Sequence, residues 1–226
     1  MPLSDHAERT RITLYRHFAA TGRALDTAGL AADTGQSMDE VRADLAELAA
    51  ARHIVLAGEE VVLAHPFASR SFRFSVMGAD TLWWGGCAWD AFAIPHLVPD
   101  APSVLVATTC PACESAHAWT VTNERAPAGE QVAHFLVPAA DIWPDAAHAC
   151  ENQQIFCDEG CVDAWLHRTG NTRGDVLSLT TLWNLAAHWY DGRLDSPYER
   201  RDPTRAAAYF REVGLRGPFW GLPDGA

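Results

Sequence analysis

Near the start of the chain, apolar positions recur at helical spacing. Between about Asp5 and Ala20, Ile12, Leu14, Tyr15 and Phe18 form one stripe that Thr21-Gly22 ends, which predicts an amphipathic helix. A second, short helix is predicted over Asp26 to Asp33, with Leu25 and Leu30 as its apolar contacts and Thr34-Gly35 as the turn after it. The third opens at Ser37. There Ser37-Met38-Asp39-Glu40 has the form of a capping box, in which the Ser hydroxyl accepts from the Glu40 amide and the Glu40 carboxylate reaches back. Met38, Val41, Leu45 and Leu48 then share one face. After Arg52 the period changes: Ile54-Val55-Leu56 and Val61-Val62-Leu63 are β-branched runs divided by Ala57-Gly58-Glu59-Glu60, a hairpin pattern.

Beyond Pro66 the pattern alternates between short β-rich pieces and helical stretches. Phe72 and Phe74 flank Arg73, and Val104-Leu105-Val106-Ala107, Trp119-Thr120-Val121 and Ala133-His134-Phe135-Leu136-Val137 are separated by Gly, Pro and polar clusters. From Gly174 onward Val176, Leu179, Leu182, Ala186 and Trp189 predict a helix, and Ala206 to Val213 a shorter one, before a Gly/Pro/Trp-rich end at Gly217-Pro218-Phe219-Trp220. The expected fold class is α+β. Residues 1–65 form a small N-terminal three-helix unit that resembles a winged helix, and residues 66–226 a mixed α/β domain with a small sheet and flanking helices.

Charge narrows what the first unit does. The net charge is −12 and every basic residue is Arg, so polyanions are repelled unless the arginines cluster, and no cluster is visible. On the third helix, which would enter a DNA groove, Asp39, Glu40, Asp44 and Glu47 stand against Arg42 alone. A structural or interaction unit fits that helix, and no nucleic-acid partner is expected. The opening residues lead directly into a charged amphipathic stretch, and no long uncharged segment follows, so the expectation is a cytoplasmic protein with no membrane partner. At 226 residues and 48% hydrophobic the chain can bury a sizeable core without disulfides, so its six cysteines read as free thiols, catalytic or metal-binding. Nucleotide-binding glycine motifs and a G-x-S-x-G elbow are absent.

The chemistry concentrates in three segments. In Trp83-Trp84-Gly85-Gly86-Cys87-Ala88-Trp89-Asp90-Ala91-Phe92-Ala93-Ile94-Pro95, a short helix begins close to Cys87 and stops at Pro95, so Cys87 and Asp90 share a face. A thiol at a helix start is favoured as thiolate, and an acidic residue in an apolar stretch is costly unless paired or functional. The second segment, Cys150 to Trp165, holds Cys150, Cys157 and Cys161, with Cys157 following the strand-like Ile155-Phe156. The third is Cys110-Pro111-Ala112-Cys113, a C-x-x-C that suits a zinc knuckle or a redox pair but has no second C-x-x-C to match. His117, His134 and His148 lie near cysteines without ligand-like spacing and read as surface or core residues.

Cys87-Ala88-Trp89-Asp90 with the following Ala91-Phe92-Ala93-Ile94-Pro95 resembles the segment of organomercurial (alkylmercury) lyases that carries their first catalytic cysteine and their aspartate. Ile155-Phe156-Cys157 resembles the segment of their second catalytic cysteine, and Cys110 falls where they have a structural one. The resemblance implies carbon–mercury bond cleavage by Cys87, Asp90 and Cys157, with no cofactor, free thiols as co-reactant and Hg(II) held as product on Cys87 and Cys157 with Asp90 beside it. Thiolates suit this soft metal. It further implies organomercurial small molecules as substrates and a mercuric reductase as a recipient of Hg(II). An apolar pocket would raise the Asp90 pKa for proton delivery. Two other readings stand beside it: a non-catalytic cysteine-rich protein of the same fold that binds zinc or copper, and a metal-responsive regulator built on the helical unit.

Overall fold

Three polar caps set the first helices. Ser4 accepts from the Ala7 amide to start α1 (Asp5–Thr21), which Gly22 ends at φ 71°; Asp26 caps α2 (Thr27–Thr34); and Ser37 with Glu40 completes both halves of the box that starts α3 (Met38–Ala50). The computed structural model describes residues 3–223; residues 1, 2 and 224–226, at the outer ends of the two expected domains, lie outside the described residues. Leu14, Tyr15, Phe18, Leu30, Val41, Leu45 and Leu48 are buried in a core that continues into the sheet, where Phe18 stacks on Phe67.

The hairpin after Arg52 forms as β1 (Val55–Ala57) and β2 (Glu60–Ala64), but it is not a free wing. β2 pairs with β3 (Phe67–Ala68) through Leu63↔Ala68 and Ala64↔Phe67, so one sheet runs unbroken through the expected boundary at residues 65 and 66. That antiparallel sheet continues with β4 (Phe74–Met77), β5 (Leu82–Gly85), β6 (Ser103–Thr109) and β7 (Ala116–Thr122), in the order β1-β2-β3-β5-β4-β6-β7. Seven strands exceed the small sheet expected, because β3 is only two residues long and the Leu-Trp-Trp-Gly of β5 shows no apolar–polar alternation.

The central element is α4 (Ala88–Leu97). Its residues from Ala88 to Pro95 are all buried, as befits a helix apolar on every side. It packs on β4, β5, β6 and β7 on one side and on α7 (Leu179–Ala187) on the other. Pro95 does not stop it: the ring removes one amide from the last turn, and the Val98 amide restores a bond to the Ile94 carbonyl.

A second antiparallel sheet, ordered β10-β8-β9, joins β8 (Val132–Phe135), β9 (Gln153–Phe156) and β10 (Asp175–Ser178). Before β9 lies the short α5 (Ala146–Glu151), and after it α6 (Glu159–Thr169), capped by Asp158. The helix expected from Gly174 therefore starts later, at Leu179. Val176 and Leu177 pair with His134 and Ala133 across β8, and the Ser178 hydroxyl caps α7. The last helix, α8 (Pro203–Glu212), buries Tyr209 and Phe210, and the end of the chain closes with Trp220 under Trp89 and Phe135. No helix among the described residues is long and apolar enough to cross a membrane.

Candidate active site

Cys87 is the residue on which sheet turns into helix. It follows β5, caps α4 with extended backbone, and its sulfur accepts from the Asp90 amide at 3.4 Å. The expected shared face of Cys87 and Asp90 is thus present, and both are buried, Asp90 to 1% exposure. The preceding glycines are there for space. A Cβ on Gly85 would lie 2.8 Å from the Ala91 Cα, and one on Gly86 would lie 2.5 Å from Asp90 Oδ2, so only bare backbone lets α4 sit this close to β5.

Distant parts of the chain supply the groups around Asp90. His65, in the turn between β2 and β3, places Nδ1 3.0 Å from Asp90 Oδ2, and the Tyr190 hydroxyl donates to Asp90 Oδ1 at 2.5 Å. Cys150, from α5, lies 4.0 Å from His65 Nδ1 and lines the same pocket as Cys87. Arg193 is buried beneath this group. It donates to the His65 carbonyl and the Tyr15 hydroxyl, both at 3.0 Å, and lies over the Tyr190 ring at 4.9 Å. Cys87, Asp90, Cys150 and His65 line one pocket whose walls include Trp89, Trp143 and Trp189.

Two electrostatic expectations are overturned by this packing. Burial pushes the Cys87 thiol well up, aided by the neighbouring Cys150 and Asp90, and outweighs the helix start that was expected to lower it. Burial also works to raise Asp90, yet the His65 imidazolium and the Tyr190 and Cys87 donors hold its carboxyl below the usual range. His65 is the complement: burial opposes its charge, but the Asp90 carboxylate, with Cys150, pushes it up to about 10. Of the two thiols, Cys150 is the one drawn down, by the Cys87 hydrogen bond and, against burial, by His65. The His65–Asp90 contact thus favours charge on both partners, and of the two thiols burial disfavours the thiolate more at Cys87 than at Cys150.

Cys157 is not in this pocket, which corrects its expected grouping with Cys87 and Asp90. Following β9, it joins Cys110, Cys113 and Cys161, and the four sulfurs lie within 4.8 Å of one another. Cys150 is the other cysteine that lines the Cys87 pocket. His65, Tyr190 and Arg193 gave no sign in the sequence, because nothing local to them predicts that they converge. Cys150 had one available sign. Pairing C-x-x-C at Cys110 with C-x-x-x-C at Cys157 uses four thiols and leaves Cys150 for Cys87.

Among curated proteins no relative matches this chain. A crystal structure of the mercury-bound form of MerB2 matches with a TM-score of 0.67 at 16% identity, covering 85% of this chain and 93% of that one, a likeness of fold. The model of the MerB alkylmercury lyase family matches residues 67–191, which run from β3 to just past α7 and contain Cys87, Asp90, Cys150 and Tyr190. With more than half of its sequence matched, the chain belongs to the alkylmercury lyase family.

Proposed function

We propose that this chain cleaves carbon–mercury bonds by protonolysis, with Cys150 and Cys87 as the mercury-binding thiols and Asp90 as the proton carrier. The observation that carries this reading is a buried carboxylate that shares one aromatic-walled pocket with two thiols. Substrate arrives as R–Hg⁺ on a small thiol. The Cys150 thiolate displaces that thiol and takes the metal, since soft mercury prefers sulfur. Cys87 then binds the same mercury and gives its proton to the Asp90 carboxylate, one helical turn away on the same face. A second thiolate on mercury feeds electron density into the Hg–C bond and makes the carbon more basic. Asp90, now protonated, delivers that proton to the carbon, the hydrocarbon leaves, and Hg(II) stays on the two sulfurs.

Proton and charge balance within the site: the proton lost by Cys87 is the one gained by carbon. His65 and Tyr190 orient the carboxylate. Trp89, Trp143 and Trp189 suit apolar or aromatic R groups. Release of Hg(II) calls for external thiols, as a reducing cytoplasm supplies, or for transfer to a mercuric reductase.

Benzene release from an arylmercury compound in excess thiol, per mole of folded protein, tests the reading. Wild type is expected to exceed the thiol background, and Cys87→Ser, Asp90→Ala and Cys150→Ser each to fall to it. Wild type at background overturns the lyase reading, and a Cys150→Ser variant as fast as wild type overturns the place given to Cys150.

A further inference from the structure

Four of the six cysteines take no part in the chemistry proposed above, yet they converge. Cys110 ends β6 and is fully buried, and its amide bonds to the Ser115 carbonyl while the Glu114 amide returns to its own carbonyl, closing a tight Cys110–Ser115 turn. Glu114 adopts φ 63° within it, and Cys113 sits at its tip. From the other side, Cys157 leaves β9 and Cys161 lies in the first turn of α6, its amide held by the Asp158 carboxylate at 2.8 Å. Turn and helix start thus present two sulfurs each, in C-x-x-C and C-x-x-x-C spacing.

The distances are those of a metal site. Four sulfurs at about 2.3 Å from a tetrahedral zinc stand about 3.8 Å apart. Here Cys113 and Cys157 are 3.4 Å apart and Cys161 and Cys113 4.0 Å apart. A disulfide needs sulfurs at about 2.05 Å, and none of the six cysteines is in one. The surroundings are those of a supported site as well. Arg168 of α6 donates to the Pro111 and Ala112 carbonyls at 2.6 and 3.3 Å, locking the turn to the helix, and His117 Nε2 lies 3.6 Å from the Cys157 sulfur, where a ring N–H can donate to a thiolate. Beneath lies a small apolar cluster of Phe156, Val162, Trp165 and Leu166, separate from the main core.

We propose that Cys110, Cys113, Cys157 and Cys161 bind one zinc ion in a closed structural site. Four protein ligands leave no position open for substrate, which separates this site in kind from the Cys87 pocket. Its task is mechanical. The ion ties the β6–β7 turn to the β9–α6 junction, and β9 is continuous with α5, which carries Cys150.

The experiment is metal analysis of the full chain produced in zinc-supplemented medium. About one zinc per chain is expected, retained in Cys87→Ser and Cys150→Ser and lost in Cys113→Ser and Cys161→Ser. Because a ligand variant can also lose its fold, a second measurement uses wild type stripped by a chelator and refilled with Co(II). Intense thiolate-to-cobalt charge transfer with tetrahedral d–d bands is expected, unchanged in Cys87→Ser. Zinc-free wild type that takes up no cobalt overturns the proposal. So does metal that leaves with Cys87 or Cys150 but stays in Cys113→Ser, or a Cys113–Cys157 disulfide in protein purified under reducing conditions. None of these readouts depends on lyase activity.

Discussion

Asp90 is a carboxyl group with almost no access to water, and His65 and Tyr190 both face it and favour its charged form. Removing the Tyr190 hydroxyl leaves one oxygen without its donor, so Tyr190→Phe is expected to raise the Asp90 pKa. The acidic limb of the pH–rate profile for benzene release should then move to higher pH, with a stability loss of about 1.5–3 kcal/mol, typical of a hydrogen bond to a charged group. An unmoved limb with the same stability loss would mean that Tyr190 serves packing alone. Gly86 tests the same carboxylate from behind. In Gly86→Ala the new methyl meets Asp90 Oδ2 at 2.5 Å and the Leu63 side chain at 2.9 Å, so a loss of about 1–3 kcal/mol in urea unfolding and a sharp fall in release are expected. At this scale the sequence was legible where the relation is local. Cys87 and Asp90 share one helical turn, and their i, i+3 spacing with resemblance to a known motif was enough to join them. Cys150 and Cys157 flank the same strand, and their partners, Cys87 and the Cys110–Cys113 turn, lie far away in sequence, so no local spacing could assign them.

The three-helix unit finds its use at the scale of elements. Arg11 of α1, fully buried, donates to the Arg193 and Asp195 carbonyls at 2.8 and 2.5 Å, and Tyr15 of the same helix receives Arg193. The helix thereby holds the segment after α7 that brings Tyr190 and Arg193 under the pocket. Arg11→Met keeps the aliphatic bulk but leaves the buried Arg193 carbonyl without this donor, at a cost of about 1–3 kcal/mol, and frees the part-buried Asp195 carbonyl. Lower stability is expected, together with slower benzene release from a residue outside the pocket. Release unchanged per folded molecule would reduce α1 to a passive cover. Duplex DNA should give no mobility shift at low salt, because α3 exposes Asp39 and Glu40 beside the half-buried Glu47, while Asp44 is buried against Thr10 and Gln36. The helices themselves were readable because their caps and stripes are local. The hairpin's continuation into the large sheet was not: β3 has two residues, and its pairing depends on a chain reversal at His65-Pro66 that leaves no periodic signal.

For the whole molecule, three buried histidines and the half-buried His96 give stability two opposed slopes against pH. Burial holds His53 at about 3, and His96 and His134 at about 4, and nearby Arg charges add to the effect at His53 and His134. His134 has a structural reason to stay neutral: its Nε2 accepts from the Gly174 amide at 3.1 Å, which a protonated ring cannot do. Each of these three folded-state values lies below the ordinary 6.5, so the unfolded chain takes up protons first, and their contribution is present above about 6.5 and lost as pH falls toward 4 and 3. His65 runs the other way. Its value is raised to about 10, so the stability it contributes is complete below about 6.5 and fades as pH climbs to 10. Asp90, held low, adds a contribution lost only at acid pH, below the ordinary carboxylate value of 3.8. Urea unfolding across pH 4 to 10 should therefore show a maximum near 6.5, where the two histidine slopes meet. His65→Gln separates them. It breaks a buried ion pair at a cost of about 3–5 kcal/mol near neutral pH. The difference in stability between wild type and variant should shrink steadily from pH 7 to 10, while the decline below pH 6 is kept. A difference that stays constant through pH 10 would mean that His65 is neutral in the folded protein, and the charged His65–Asp90 pair would have to be abandoned.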